Sequence, residues 1–248
     1  MKPTLSVIII TKNEEHDIRE CLESVAWADE VIVLDSGSTD NTLKIAKEYT
    51  DKVYSSVDWQ GFGVQKNRVL TYASSDWILS LDADERVSEV LRQEIQKAVQ
   101  SEGTTIFKMP RLSSYCGKFI RHSGWWPDYV IRLFKRGEAS FSNDLVHERL
   151  VFKGNATKLT APLLHITYKD LDEVISKINH YSSLGAENSH QKAKRGSLRS
   201  AITHGLWAFI RTYIFRAGFL DGAEGFMLAI SNAETTYYRY LKLFYLSK

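Results

Sequence analysis

Leu5-Ser6-Val7-Ile8-Ile9-Ile10, followed at once by Thr11-Lys12-Asn13-Glu14-Glu15, is the stretch on which the fold turns. Its six residues are β-rich and continuously apolar, the pattern of a strand buried on both faces. A secretory signal would need a longer apolar run and a small-residue cleavage site, so secretion is not expected. Downstream, Ile18, Cys21, Leu22 and Val25 recur at i, i+3, i+4 and i+7, one face of an amphipathic helix. The alternation then repeats. Val31-Ile32-Val33-Leu34 reads as a strand, and Thr42 to Tyr49 as a helix that Asp40 or Asn41 can cap. Val53 to Ser55 is a short strand, Gln65 to Tyr72 a helix, and Trp77 to Leu81 a buried strand. Leu91, Ile95, Ala98 and Val99 stripe the helix after it. This rhythm predicts an α/β fold, a Rossmann-like, mostly parallel sheet with helices on both faces.

From residue 104 the rhythm changes. Thr104 to Met109, Val130 to Lys135, Leu150 to Lys153 and Leu159 to Ile166 are short β-like pieces among loops carrying Tyr115, Trp125, Trp126 and Tyr129. After Tyr168 the chain reads as helical over Leu171 to His190, Leu198 to Phe215 and Phe219 to Leu246. The expected division is therefore an α/β domain over 1–168 and a helical C-terminal extension over 169–248.

Composition narrows the function. The 248 residues are 44% hydrophobic and 25% charged, a globular balance that excludes collagen, coiled coil and disordered tail. Lys and Arg number 32 against 30 Asp and Glu, so no global field favours nucleic acid. Two cysteines, Cys21 and Cys116, make no disulfide framework and fit a reducing compartment. No apolar stretch is long enough for an ordinary membrane span.

In parallel sheets ligands bind outside the carboxyl ends of the strands. Those ends carry Thr11, Asn13 and Glu14; then Asp35-Ser36-Gly37-Ser38-Thr39-Asp40; then Asp82-Ala83-Asp84-Glu85. No Gly-rich phosphate loop follows the first strand, so backbone amides do not cradle a phosphate there. A carboxylate-lined cleft accepts a diphosphate only with a cation between them, and Mg²⁺ or Mn²⁺ favours such oxygen ligands. Asp-x-Asp alone is a weak signal, since Asp170-Leu171-Asp172 reads as the start of a surface helix. Only Asp82-Ala83-Asp84 follows a buried strand. The Asp35 loop can also be a turn with a helix cap.

Ser6 to Glu15, Asp35 to Asp40 and Asp82 to Glu85, in that order, resemble the family 2 glycosyltransferases of the GT-A fold. Trp125-Trp126-Pro127, Ile131-Arg132-Leu133-Phe134, Val146-His147-Glu148-Arg149-Leu150 and the helical tail resemble the lipopolysaccharide core β-glucosyltransferases. The resemblance implies that Thr11, Asn13 and Glu14 line a nucleoside pocket and that Asp35 holds uracil or ribose. Lys66 would lie near the nucleotide, Asp82 would contact ribose or sugar, and Asp84 would coordinate Mg²⁺ or Mn²⁺. It implies a UDP-sugar donor, UDP-glucose first, and a lipid-linked saccharide acceptor.

Inverting transfer needs a carboxylate to take the acceptor proton. Glu148 is the expected base, with Asp144 as substitute. The structural role for Glu148 is an ion pair with Arg149 or Arg132. His147 and His165 are candidate metal ligands, and Trp125, Trp126 and Tyr129 candidate acceptor platforms or core aromatics. Between Asn188 and Leu220 there is no acid, while Lys192, Lys194, Arg195, Arg199, Arg211 and Arg216 accompany Trp207, Phe209 and Phe215. That pattern suits an anionic membrane surface or a subunit interface. The expectation is a cytoplasmic enzyme, peripheral on the inner face of the cytoplasmic membrane. A family 2 glycosyltransferase acting on another lipid-linked or capsule glycan is the nearest alternative, and nucleotidyl transfer and a non-catalytic membrane adaptor are the competing classes.

Overall fold

A computed structural model describes residues 2–142 and 148–248. The first elements are β1 (Leu5–Thr11), α1 (Ile18–Val25), β2 (Glu30–Asp35), α2 (Thr42–Ala46), β3 (Val53–Ser55), α3 (Phe62–Leu70), β4 (Trp77–Asp82), β5 (Glu85–Val87) and α4 (Glu89–Ala98). Then come β6 (Ile106–Tyr115), β7 (Lys118–Phe119), β8 (Asp128–Lys135), β9 (Ala139–Phe141), β10 (Leu150–Phe152), β11 (Thr157–Lys158) and β12 (Leu163–Tyr168). The last helices are α5 (Leu171–Gln191), α6 (Leu198–Ile210) and α7 (Gly222–Leu246). By internal contacts the chain forms two compact units, one of Met1–Arg111 with Tyr129–His165, the other of Leu112–Asp128 with Ile166–Lys248.

The main sheet runs in the order β3-β2-β1-β4-β8-β6-β12-β5. β1 pairs in parallel with β2 and β4, and β2 with β3. β4 with β8 and β12 with β5 are antiparallel. The first strand shows why its apolar run is unbroken. Val7 and Ile9 enter one buried cluster with Ile18, Leu22, Leu91 and Ile95 of α1 and α4. Ile8 and Ile10 enter the other, with Val69 of α3, Phe134 and Phe141. Helices therefore cover both faces of this central strand, as the sequence pattern requires.

Local caps fix where the helices start. Ser88 accepts the Leu91 N–H at 3.3 Å, and Asp170 accepts the Glu173 N–H at 2.8 Å. The Asp170 triplet is thus a helix start. At α2 the cap is Asp40, whose Oδ1 accepts the Thr42 N–H at 3.0 Å, while Asn41 makes no side-chain cap bond.

In the second unit α5 and α6 both pack on α7. Gly205 lets α6 approach closely, because a Cβ there would lie 3.2 Å from the Tyr237 Cβ. The helix expected over 198–215 is α-helical only to Ile210 and ends in a π turn over Arg211–Phe215. A 3₁₀ turn over Gly218–Asp221 precedes α7. Asp221 also explains why 112–128 belongs to this unit. Its carboxylate accepts the backbone N–H of Arg121 at 3.1 Å and of His122 at 3.0 Å, and the Ser123 hydroxyl at 3.1 Å. Among the described residues no helix is long and apolar enough to cross a membrane.

Candidate active site

Parallel pairing brings the informative strand ends together. Thr11 lies in register with Asp35 across β1 and β2, and Ile10 with Asp82 across β1 and β4. Beyond these ends opens a cavity of about 560 Å³. Thr11, Glu14, Lys66, Asp82, Asp84 and Glu148 all line it. With His165, seven of the candidate site residues read from sequence therefore line one cavity, although Lys66 and Glu148 are 82 positions apart.

Asn13 and Asp35 are not on that wall. Asp35 is fully buried and accepts the N–H groups of Gly37 and Ser38, each at 2.9 Å, and the Ser38 hydroxyl. Asn13, with a left-handed φ of 57°, donates its N–H to Ser38 at 2.8 Å and accepts the Thr39 N–H at 2.8 Å. Both hold the loop that presents Ser36 to the cavity. The Thr11 hydroxyl is buried and has no hydrogen-bond partner among the described residues. A buried donor left without a partner costs free energy, so a ligand hydroxyl or carbonyl is the partner such a group calls for.

The centre of the cavity is a chain of charges. Lys66, its side chain only 4% exposed, places Nζ 3.0 Å from Asp82 Oδ1 and 2.9 Å from Glu148 Oε1. Arg132 grips the other Asp82 oxygen and lies 2.6 Å from Glu85. Burial opposes ionisation of Asp82, but the charges of Arg132 and Lys66 outweigh it and hold that carboxyl well below its usual range. At Glu85 burial wins over Arg132, and the Asp82 charge adds to it, so its pKa is raised. The ion partner of Glu148 is thus Lys66, and Arg132 serves Asp82 and Glu85.

Glu148 reaches the wall because Gly63 lets its segment close on α3. A Cβ at Gly63 would stand 1.8 Å from the Ser142 carbonyl oxygen and 3.4 Å from the Glu148 Cβ. Asp144 and His147 lie outside the described residues.

Asp84 meets a histidine. His165 Nε2 lies 3.2 Å from Asp84 Oδ2, and both line the cavity. Among the described residues no group of three or more His, Cys, Asp or Glu is gathered for a metal. One carboxylate and one imidazole beside open space nevertheless suit a divalent cation that takes its remaining ligands from phosphate and water.

Sequence reasoning missed the apolar part of the wall. Trp59 and Phe62, 44% and 49% exposed, meet edge to face at 4.8 Å. They sit in and just after a loop with no periodicity to mark them. The three aromatics read as acceptor platforms or core residues fall in different units. Tyr129 belongs to the first unit and carries Lys158 Nζ 4.8 Å over its ring. Trp125 stacks on Tyr168 at 5.9 Å in the second unit's core, and Trp126 lies under Arg121 at 5.5 Å.

The chain is similar to known proteins over nearly its whole length. The model of the family described as glycosyl transferase family 2 matches residues 6–154. A lipopolysaccharide core biosynthesis glycosyltransferase of Rhizobium meliloti is 30% identical, over 98% of this chain and 93% of that protein. An uncharacterized glycosyltransferase of Rickettsia typhi is 32% identical, over 96% and 86%. Among solved structures, S. aureus TarS matches with a TM-score of 0.49 and 18% identity, over 66% of this chain and 37% of that one. On the family match and the near full-length relatives, this chain belongs to glycosyl transferase family 2.

Proposed function

We propose that the protein is a metal-dependent, inverting hexosyltransferase that moves glucose from UDP-glucose onto a lipid-linked lipopolysaccharide inner-core saccharide. One observation carries the reading. A single cavity holds an Asp84–His165 pair, a nucleotide-side wall with Thr11, Glu14 and Ser36, and Glu148 anchored on Lys66. The resemblance seen in the second half of the sequence and the similarity to the R. meliloti lipopolysaccharide core biosynthesis glycosyltransferase support the acceptor class.

Asp84 and His165 would hold Mg²⁺ or Mn²⁺, which when bound neutralises the diphosphate leaving group. Thr11, Glu14 and Ser36 bind the nucleoside, with Asp35 and Asn13 shaping their loop. Asp82, fixed from both sides by Lys66 and Arg132, hydrogen-bonds ribose or sugar hydroxyls. Glu148 takes the proton of the acceptor hydroxyl as that oxygen forms its bond to C1 and the bond from C1 to the UDP oxygen breaks. The displacement inverts C1.

The same reading assigns an anionic leaflet as the place of work. Leu206, Trp207, Ile214 and Phe215 of α6 and the π turn are all more than half exposed, beside Arg199 and Arg211. Exposed aromatics with flanking cations fit a headgroup boundary.

The deciding experiment is thermal unfolding with UDP, with and without Mn²⁺, then with a panel of UDP-sugars. A ligand that binds only the folded chain raises the midpoint by mass action. The expected result is a rise that needs both UDP and metal and is greatest with UDP-glucose. No rise with any UDP compound overturns the donor assignment. Release of pyrophosphate from a nucleoside triphosphate would indicate nucleotidyl transfer instead.

A further inference from the structure

One stripe of α1, begun by Asp17 just before the helix, is spent on the turn that carries Asp84. Asp17, Glu20, Cys21 and Ser24 recur at i, i+3, i+4 and i+7, and each bonds to a residue between 82 and 87. The Cys21 thiol donates to the Asp82 carbonyl at 3.6 Å, and the Ser24 hydroxyl oxygen accepts the Val87 N–H at 3.1 Å. Between these two ends lies Arg86. Its Nη1 donates to the carbonyls of Ala83 and Glu85, at 2.8 and 3.1 Å, the residues on either side of Asp84. Its Nη2 lies 3.3 Å from Asp17 Oδ1 and its Nε 3.3 Å from Glu20 Oε2. The Arg86 and Asp17 side chains are 9% and 7% exposed, whereas Glu20 is 70% exposed and adds little.

β5 begins at the residue after Asp84 and pairs with β12, where His165 lies opposite Glu85 and Leu164 opposite Arg86. The place of Arg86 therefore sets both members of the Asp84–His165 pair, one by chain continuity and the other by strand register. We infer that Arg86, braced by Asp17, is a positioning residue for the divalent cation, holding Asp84 and His165 together before the ion arrives. This rests on the metal-dependent reading above. Arg86 does not touch the ion. Its effect is on affinity, because groups that fix a ligand from behind remove freedom the ion would otherwise have to take away. A planar guanidinium can bridge two carbonyls and a carboxylate at once, which a single ammonium cannot do with the same geometry. A buried Arg–Asp pair can also be no more than a brace for the fold, and metal affinity separates the two roles.

The test is titration of the full chain with Mn²⁺ at saturating UDP, with free Mn²⁺ measured by its electron paramagnetic resonance signal. Arg86→Met combined with Asp17→Asn removes both charges, so no buried carboxylate is left alone. That double variant should bind Mn²⁺ on the order of ten-fold or more weakly than wild type. Arg86→Lys should fall between the two, since an ammonium keeps the attraction to Asp17 without the fork. Glu30→Gln, at the start of β2 and so at the far end of that strand from the cavity, is the control for lost stability. It should bind Mn²⁺ as wild type does, and circular dichroism melts place all variants on one stability scale. Wild-type Mn²⁺ affinity in the double variant would overturn the inference and leave Arg86 a brace of the fold. An equal loss in Glu30→Gln would overturn it too, by making the effect general. If the double variant does not fold, Arg86→Lys decides: weaker Mn²⁺ binding than Glu30→Gln supports the inference, and wild-type affinity overturns it. If the wild-type chain with UDP binds no Mn²⁺, the metal-dependent reading falls and takes this one with it. Normal wild-type binding with unaltered variants is a failure of the Arg86 assignment alone.

Discussion

In the first unit charged side chains turn inward: Lys66 is 4% exposed and Arg132 9%, and both are held by carboxylates. In the second, large apolar side chains turn outward, with Trp207 52% exposed and Phe215 69%. Each arrangement is costly for an isolated domain. Buried charges lose hydration and are tolerated when paired or when a ligand completes them, whereas clustered exposed apolar groups stay unfavourable until a surface covers them. Under the proposed function the contrast would separate chemistry from attachment within one short chain, and substitutions in either region should leave the other's property in place.

The largest expected effect is at the proposed base, Glu148. Glu148→Gln should lower turnover by about 10²–10⁴-fold while UDP still raises the unfolding midpoint with Mn²⁺. Normal turnover by this variant would move the base elsewhere, with Asp144 next in line. Asp84→Ala should remove the metal dependence of UDP binding and cost on the order of 10³-fold in activity, several kcal/mol of electrostatic stabilisation. Metal titration reads this directly, and unchanged Mn²⁺ dependence would sever Asp84 from the cation.

Gly63→Ala tests the scaffold instead of the chemistry. The added methyl must displace the Ser142 carbonyl, at a cost of about 1–3 kcal/mol in stability. Moving Glu148 with that segment should lower turnover by roughly 10²-fold. A variant as active as wild type would mean that the close approach is not what positions the base.

Acid stability should come from the opposite end of the sheet strands. Burial disfavours the charged Glu30 carboxylate, but Lys52, Ser6 and Ser74 outweigh it and lower its pKa from the ordinary 4.5 to about 2. The unfolded chain binds that proton more readily, so the stabilisation is fully present above pH 4.5 and is lost as pH falls towards 2. It amounts to about 3 kcal/mol, and Glu30→Gln should flatten the stability profile across that window in denaturant titrations. An unaltered profile would show that Glu30 is not the linked group. The smallest effects belong to the outward face. Arg211→Gln should weaken binding to phosphatidylglycerol vesicles by about five-fold at low salt, and Trp207→Ser by a similar factor, with UDP binding untouched. Indifference of the wild-type chain to such vesicles would leave this face to a subunit interface.

Much of this was readable beforehand because it is local. The strands and helices of the first hundred residues follow from periodicity, and Asp82-Ala83-Asp84 stood out because a buried strand delivers it. What stayed hidden depends on distant pairing. β5 is three residues long, too short for a periodic signal, and gains its place by pairing with β12. His165 meets Asp84 across 81 positions, and no local pattern announces it. Asp35 was expected to touch the nucleotide, yet its carboxylate is occupied by Gly37 and Ser38; a strand-end acid and a turn-building acid look alike in sequence. Gly63 had no visible role until the Ser142 carbonyl came against it.

Lys66 has one ammonium and two anionic neighbours, Asp82 and Glu148. Whatever draws it towards one loosens its hold on the other. With donor on Asp82 and acceptor on Glu148, as proposed, the two affinities would share a single coupling free energy, equal in both directions. Double-reciprocal lines against acceptor at different donor concentrations should then cross off the abscissa, and should cross on it when Lys66 is replaced.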